Sequence, residues 1–341
     1  MMIKPEDVWW RRVPVAVNFI EQCIADAKEF KPSYIDSRTL PWADQFLKMT
    51  RNVIREMSQS FTVYTVDGSR FDAAKHDSIL DLMVEAIGSP QQYDCTIQSV
   101  WNELNSSMIF FLVKAKDKNQ LDELKMIVFD AKEYEINLRL IVQSDISAEE
   151  DPDVKAFEYH NFDVNFFIWN LLLGKNSTNL LNYKAGLATL LADRDAEKAA
   201  ACCKEIDNCV YDPDKVCNWL DPEVVKALVR KAKIRYLVPE LEMARINFGN
   251  RVKDRIAVGI LPYKDFVNGE QVLLELEELE FKHFSRIAKN YRNLQLTPGE
   301  KEMLDTLYEA RNALAHIATK EEVLTIDFII KVKEYCDELE K

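Results

Sequence analysis

The stretch MIFFLV at residues 108–113 is a continuous apolar run with β-branched and aromatic side chains. A strand with both faces covered has this composition, because neither face has to meet water. Three further segments resemble strands in the same way: residues 33–37 (SYIDS), 61–67 (FTVYTVD) and 138–143 (LRLIVQ). Together they predict a β-sheet in the first part of the chain.

Segments with helical periodicity separate these strands. The predicted helices are residues 15–30, 41–57, 73–87 and 120–134. Strands that alternate with helices of this length form βαβ units, and such units make a mainly parallel sheet. Residues 1–150 are therefore expected to be a Rossmann-like or P-loop-like α/β domain.

The pattern changes at the acidic segment EEDP, residues 149–152, after which strand signals fade. The remaining chain predicts helices at residues 163–173, 178–191, 196–208, 222–248, 271–290, 299–315 and 320–339. We expect a helical connecting region over residues 151–268 and an all-α domain over residues 269–341.

The composition limits the classes of function. The formal net charge is −13, whereas a protein that coats nucleic acid usually carries a basic face. No segment reaches the roughly 18 consecutive apolar residues of a membrane span, and the first residues lack the apolar core of a signal peptide. We expect a soluble, cytoplasmic protein without a membrane partner.

Four of the seven cysteines cluster in the sequence at positions 202, 203, 209 and 217. They lack the paired C-x2-C spacing of a zinc site, and no histidine lies close to them. The pattern predicts reduced, partly buried thiols, and we expect no metal and no cofactor.

The α/β domain lacks a recognisable nucleotide motif. The first predicted strand is followed by DSRTLPW, without the glycines and lysine of a phosphate-binding loop, and G-x-G-x-x-G is absent. Gly68 is interpreted as a turn residue. Arg38 and Arg70 follow strand ends, where an anionic ligand or a partner protein would bind in an open α/β sheet; the interpretation that we favour makes them ordinary polar loop residues.

The segment YEARNALAHI, residues 308–317, carries the candidate chemistry. Arg311 and His316 are five residues apart, which is about 140° of rotation on an ideal α-helix. They converge if the helix loosens near His316. Alternatively, two copies of the chain bring them together.

The pattern Arg311-Asn312-Ala313-Leu314-Ala315-His316 resembles the R-x4-H signature of the HEPN superfamily. The resemblance covers about the last fifth of the chain. It implies a helical bundle that forms a homodimer and cleaves RNA without a metal, leaving 2′,3′-cyclic phosphate ends, in a toxin or antiviral-defence system. Other members of the family are inert interaction modules.

The residue types suit this chemistry. Histidine transfers protons near neutral pH, and arginine neutralises phosphate charge. Asn312 is expected to orient the phosphate or to hold Arg311. Glu280 is expected on a long helix with His283, where it would position Arg311; a solvated glutamate is the alternative. Arg311 and His316 at a helix end also complement the helix dipole, which would require no catalysis.

Three functions remain open from the sequence. The first is an endoribonuclease with RNA as substrate, whose α/β domain senses a trigger or binds a partner. The second is an inert scaffold module in a larger complex. The third is a sensor of a small nucleotide messenger, coupled to the C-terminal effector.

Overall fold

The computed structural model describes residues 4–88, 96, 109–173 and 180–341. The chain divides into two compact units. The first comprises Met1–Leu171 and Arg194–Glu197, and the second comprises Leu172–Asp193 and Lys198–Lys341. The division into three parts at residues 150 and 268 stays a prediction.

The first unit contains a parallel sheet of five strands. They are β1 (Ser33–Asp36), β2 (Thr62–Asp67), β3 (Ile109–Lys114), β4 (Leu140–Ser144) and β5 (Val154–Lys155). The order across the sheet is β2-β3-β4-β1-β5, and every pairing is parallel. The predicted parallel sheet is confirmed. Strand β5 was missed, since two residues are too few to show a periodicity.

Burial explains why the central strands are so apolar. Every residue of β1 and β4 is buried, although alternate side chains of a strand point to opposite faces. Both faces are therefore covered there. Strand β2, at the edge of the sheet, is buried at Val63 and Val66 and more exposed at its other positions.

The described part of this region has six helices, of which four begin and end within two residues of a predicted helix and the first was not predicted. They are α1 (Pro5–Arg12), α2 (Pro14–Lys28), α3 (Ala43–Met57), α4 (Ile79–Ala86), α5 (Lys118–Glu133) and α6 (Asn161–Leu173). Helix α4 begins six residues later than predicted, because Ser78 caps it in a reciprocal capping box with Asp81. Met108, predicted as the first residue of a strand, lies outside the described residues.

A cluster of aromatic rings packs at the start of the first unit. The indole of Trp9 contacts the rings of Trp42, Phe157, Tyr159 and Phe167, with centroid distances of 5.0–6.5 Å. Most of these pairs are edge-to-face, the arrangement that the ring quadrupoles favour. The cluster ties helix α1 to the segment that follows the sheet.

The second unit is mainly helical. Its helices are α7 (Leu181–Ala192), α8 (Ala196–Lys204, which begins in the first unit), α9 (Ile206–Tyr211), α10 (Pro213–Val216), α11 (Pro222–Val252), α12 (Phe281–Ala288), α13 (Pro298–Ala315), α14 (Ile317–Lys320) and α15 (Ile326–Leu339). The 31-residue helix α11 packs against α7, α13 and α15. In the described part of the chain, no helix combines the length and the apolar character needed to cross a membrane.

A β-hairpin in the second unit corrects the prediction of a helix over residues 271–290. Strands β6 (Tyr263–Val267) and β7 (Glu270–Leu274) pair antiparallel. Asn268 and Gly269 join them with φ angles of 54° and 88°. A two-residue turn of this kind needs left-handed backbone at both positions, which asparagine and glycine adopt readily. Helix α12 therefore begins only at Phe281.

Helix α13 carries the R-x4-H pattern, and its predicted bounds are confirmed to within one residue. Its first turn is held by a capping box between Thr297 and Glu300. The carboxylate of Glu300 also accepts hydrogen bonds from Arg255 at 2.7 and 2.9 Å. The predicted last helix, by contrast, begins six residues late, at Ile326, where Thr325 caps it.

Candidate functional site

A cavity of about 420 Å³ opens beside the C-terminal half of helix α13. Its volume falls in the range typical of ligand sites. The lining residues come from the start of α12 and from the end of α13: Glu280, Phe281, Lys282, Tyr308, Arg311, Asn312, Ala315 and His316. The three residues predicted to be catalytic therefore line one cavity.

Helical spacing explains four of the lining positions. Tyr308, Arg311, Asn312 and Ala315 are at i, i+3, i+4 and i+7, which is one face of an α-helix. The opposite side of α13 carries buried apolar residues, so this face is left for the cavity. Tyr308 is 39% exposed and presents an aromatic ring there. Tyr308 was not predicted to be a site residue, although it lies three residues before Arg311 in the sequence.

His316 reaches the same cavity because helix α13 ends there. Ala315 is the last helical residue, and His316 has φ −124° and ψ 35°. The φ angle differs by about 60° from the helical value, so the side chain leaves its ideal helical direction. Within one chain, the end of the helix at His316 lets Arg311 and His316 line the same cavity, whereas convergence between two copies stays a prediction.

Glu280 lies beside Arg311. The distance from its Oε2 to the Nε of Arg311 is 3.9 Å, and the two side chains are 40% and 43% exposed. The expected long helix with Glu280 and His283 on one face is wrong. Glu280 is instead the N-cap of α12, and His283 is the third residue of that helix.

His283 holds the backbone of Glu280 in place. Its Nδ1 accepts a hydrogen bond from the backbone N–H of Glu280 at 2.9 Å. The other ring nitrogen, Nε2, must then carry the proton, and it lies 2.8 Å from the carboxylate of Asp265. Burial lowers the pKa of His283 against the opposing effect of Asp265. A neutral His283 ring in this tautomer bridges the backbone of Glu280 and the carboxylate of Asp265.

Arg245 on α11 is a second support that the sequence analysis missed. Its Nη1 donates to the backbone carbonyls of Glu277 and Leu279, at 2.6 and 3.0 Å. Its Nε donates to the carboxylate of Glu242 at 3.2 Å. The guanidinium thereby fixes the segment directly before Glu280. The sequence of the predicted helix at residues 222–248 gives no signal for such backbone contacts.

The two arginines predicted at strand ends do not form a joint site. Arg38 binds both carboxylate oxygens of Asp36, at 3.0 and 3.1 Å, so these donors are already engaged. Arg70 is exposed, in a short 3₁₀ turn after β2. Strands β3 and β4 lie between β2 and β1, which separates the two strand ends by about 14 Å at the usual strand spacing.

Atoms of Lys114 and Gln120 fill the space around the turn at Gly68, at the end of strand β2. A β-carbon at Gly68 would lie 2.8 Å from the carbonyl oxygen of Lys114 and 2.0 Å from Oε1 of Gln120. The amide of Gln120 donates to the Gly68 carbonyl at 3.0 Å. Gly68 is thus a turn residue with close packing, as its interpretation from sequence had it.

The comparisons with known proteins add no relative. No model of a known protein family matches the chain, and a search of curated proteins finds no significant match. The cavity lining combines a guanidinium, a lysine, an imidazole and an amide with two aromatic rings and the carboxylate of Glu280. The two cations favour an anionic ligand, and the carboxylate of Glu280 opposes one.

Proposed function

We propose that the cavity beside helix α13 is the active site of a metal-independent endoribonuclease of the HEPN type. The observation that carries the proposal is the shared lining of the cavity by Arg311, Asn312 and His316, with Glu280 next to Arg311. Arg311 and His316 could stabilise the end of helix α13 without lining the same cavity. Their shared position in the cavity therefore supports a role in ligand binding.

The proposed reaction is attack of the RNA 2′-oxygen on the adjacent phosphorus. The bond from phosphorus to the 2′-oxygen forms, and the bond to the 5′-oxygen breaks. The 2′-hydroxyl proton has to be removed, and a proton has to reach the leaving 5′-oxygen. His316 has the side chain best suited to proton transfer near neutral pH. The products carry a 2′,3′-cyclic phosphate and a 5′-hydroxyl.

Arg311 supplies the electrostatic part of the mechanism. Charge accumulates on the non-bridging phosphate oxygens in the transition state, and a fixed guanidinium there stabilises it. The 3.9 Å separation from Glu280 is long for a hydrogen bond, so the N–H groups of Arg311 are directed but available. Asn312 lies one residue further on the same face and offers an amide to the phosphate.

A second copy of the chain completes the proposal. Each cavity contains one histidine, His316, among its lining residues, whereas the reaction needs a base and an acid. Two cavities that meet across a two-fold axis would supply one histidine each. RNA is then the substrate, and a homodimer through the C-terminal region is the active form.

The first test is RNA cleavage in EDTA by the purified full chain. We expect cleavage by the wild type and a loss of at least 100-fold in Arg311→Ala and His316→Ala, which is the usual contribution of such groups. Arg292→Ala and His160→Ala are matched controls, because both residues are exposed and lie outside the cavity lining.

The same experiment discriminates against the alternatives. Activity that is unchanged in Arg311→Ala and His316→Ala would place any nuclease elsewhere. Lack of cleavage by the wild type over a broad RNA panel would favour an interaction module. A mixture of wild-type chains with an excess of His316→Ala chains tests the dimer: a loss of activity greater than simple dilution of the wild type is expected, because a mixed dimer keeps only one of the two histidines that the reaction needs.

A further inference from the structure

Three cysteines gather in the second unit outside the proposed active site. The sulfur atoms of Cys202, Cys209 and Cys217 all lie within 4.8 Å of one another. The distance between the sulfurs of Cys202 and Cys217 is 3.9 Å. All three residues are at most 1% exposed. The cluster is a closed set of thiols in the protein interior.

Three separate short elements bring these thiols together. Cys202 lies on α8, Cys209 on α9, and Cys217 directly follows the four-residue helix α10. The spacing is C-x6-C-x7-C, so the paired C-x2-C pattern of zinc sites is absent. The chain breaks at Glu205 between α8 and α9, so the proximity of Cys202 and Cys209 comes from the packing of two helices. The turn at Asp212 and Pro213 then returns Cys217 to them.

The sulfur–sulfur distance between Cys202 and Cys217 is compatible with a metal–thiolate centre, and the other two pairs lie within 4.8 Å. A metal–sulfur bond of about 2.3 Å in a tetrahedral site sets sulfur–sulfur distances of about 3.8 Å. A trigonal site with the same bond length sets about 4.0 Å. The Cys202–Cys217 distance of 3.9 Å lies between the two values. A disulfide bond, at about 2.05 Å, would require a much closer approach.

The chemistry of the donors selects a class of ion. Thiolates are soft ligands, and sites made of them prefer Zn²⁺ and Cu(I) over Mg²⁺, Ca²⁺ or Mn²⁺. We propose that Cys202, Cys209 and Cys217 bind one thiophilic metal ion of the Zn²⁺/Cu(I) class. Binding displaces three thiol protons to solvent and forms three metal–sulfur bonds, without a change in the oxidation state of sulfur.

The expected role of the ion is structural. Helices α9 and α10 have six and four residues, and isolated helices of this length are not stable in water. An ion held by all three segments would cross-link them and stabilise the region that leads into the long helix α11. This inference is independent of the proposed nuclease activity.

The test begins with the metal content of the wild-type full chain. The protein is purified under reducing conditions, stripped with a chelator, and titrated separately with Zn²⁺ and with Cu(I). Mass spectrometry of the elements and X-ray absorption then give the stoichiometry and the ligands. We expect one ion per chain and metal–sulfur distances of about 2.3 Å. Four ligands would identify a Zn²⁺ site, and three would identify a Cu(I) site.

Variants locate the site. Cys202→Ser, Cys209→Ser and Cys217→Ser are each expected to weaken metal binding by at least tenfold. Cys336→Ser is the matched control, because Cys336 is another buried cysteine of the same unit outside the cluster. It should retain one ion per chain.

If the cluster variants fail to fold, the absorption spectrum of the wild type with Co²⁺ still decides the question, since thiolate-to-cobalt charge-transfer bands report sulfur ligands directly. Three outcomes would overturn the proposal. They are a wild type that takes up neither ion, metal binding that persists in Cys209→Ser, and a disulfide between Cys202 and Cys217 in the purified protein.

Discussion

The carboxylate of Glu280 lies 3.9 Å from the guanidinium of Arg311, and Glu280 is at the same time the residue that begins helix α12. Its backbone is held by His283, and the segment before it is held by Arg245. The position of Arg311 in the cavity therefore depends on the buried His283 of α12 and on the half-buried Arg245 of α11.

Glu280→Gln tests this connection within the proposed mechanism. The variant keeps the shape of the side chain and removes its charge. We expect kcat for RNA cleavage to fall about tenfold, because Arg311 loses the group that directs it. KM should stay unchanged or decrease, since a negative charge near the substrate phosphate is removed. Steady-state kinetics measure both constants.

Glu277→Gln is the control for that variant, because Glu277 is exposed and contributes to the Arg245 contact through its backbone carbonyl alone. An equal loss of kcat in Glu277→Gln would show that the effect is not specific to the partner of Arg311.

The neutral state of His283 predicts how stability depends on pH. Burial lowers the pKa of His283 below its ordinary value of 6.5, and Lys282 and Arg286 act in the same direction, whereas Asp265 opposes them. The unfolded chain therefore binds the proton more readily than the folded chain. The stabilising contribution is present above pH 6.5 and is lost as the pH falls below it.

Calorimetry between pH 7.5 and 5.5 measures this dependence. Replacement of the titrating ring in His283→Gln should flatten the decline in melting temperature of the second unit, relative to the wild type and to His160→Gln. A slope that His283→Gln leaves unchanged would mean that other groups cause the decline.

The ion pair of Glu300 anchors the start of helix α13. Hydrogen bonds from Arg255, assisted by the Thr297 cap, lower the pKa of Glu300 to about 2. Its contribution to stability is present above pH 4.5 and is lost as the pH falls from about 4.5 to 2. Glu300→Gln should destabilise the second unit at pH 7 by roughly 2 to 3 kcal/mol, because the buried Glu300 carboxylate loses its charge-assisted hydrogen bonds from the partly exposed Arg255.

Chemical denaturation of both glutamate variants at pH 7 and pH 3 makes the comparison. Glu302→Gln serves as the reference, because Glu302 makes an exposed ion pair with Lys331, which is worth about 1 kcal/mol or less. Similar losses in Glu300→Gln and Glu302→Gln would refute the anchoring role of Glu300.

Gly68 provides a prediction for the first unit. A β-carbon there would approach the Lys114 carbonyl oxygen to 2.8 Å. Gly68→Ala should therefore destabilise the sheet by roughly 1 to 3 kcal/mol. Gly186→Ala is the opposite control, because its added β-carbon meets no atom within 4 Å; in a helix this change stabilises by about 0.5 to 1 kcal/mol. Hydrogen exchange of β2 and β3 would detect the destabilisation by Gly68→Ala. Unchanged protection of these strands in Gly68→Ala would contradict the prediction.

The sheet was predictable because its central strands are apolar on both faces. Residues 109–113 and 140–143 need no periodicity to be recognised, since burial of both faces gives a continuous signal. Strand β5 has two residues and gives none. Its pairing with β1 depends on the position of β1 in the sheet, which local sequence does not contain.

The hairpin was missed for a different reason. The acidic run from Glu275 to Glu280 favours a helix by composition, and the prediction extended it back across residues 271–274. Asn268-Gly269 breaks a helical pattern, and the pair is also the typical turn between two strands. The backbone angles of Asn268 and Gly269 show that the turn chemistry outweighed the helical composition.

The candidate site was predictable in part. Helical spacing places Arg311 and Asn312 three and four residues after Tyr308, next to it on one side of the helix. The proximity of Glu280 to Arg311 was one of two interpretations of the sequence, and the long helix on which it depended is absent, since Glu280 is the N-cap of α12. The supports from His283 and Arg245 were not predictable. They depend on hydrogen bonds between segments that are distant in sequence. Arg245 and Leu279, for example, are separated by 34 positions.

The most direct measurement of the central claim is the chemical structure of the RNA ends after incubation with the wild-type chain in EDTA. A defined RNA is compared with the same RNA carrying 2′-O-methyl groups, and the products are weighed by mass spectrometry. We predict 2′,3′-cyclic phosphate and 5′-hydroxyl ends, with no cleavage of the methylated RNA and none by His316→Ala. Cleavage of the methylated RNA, or identical products from His316→Ala, would contradict the proposed role of the cavity.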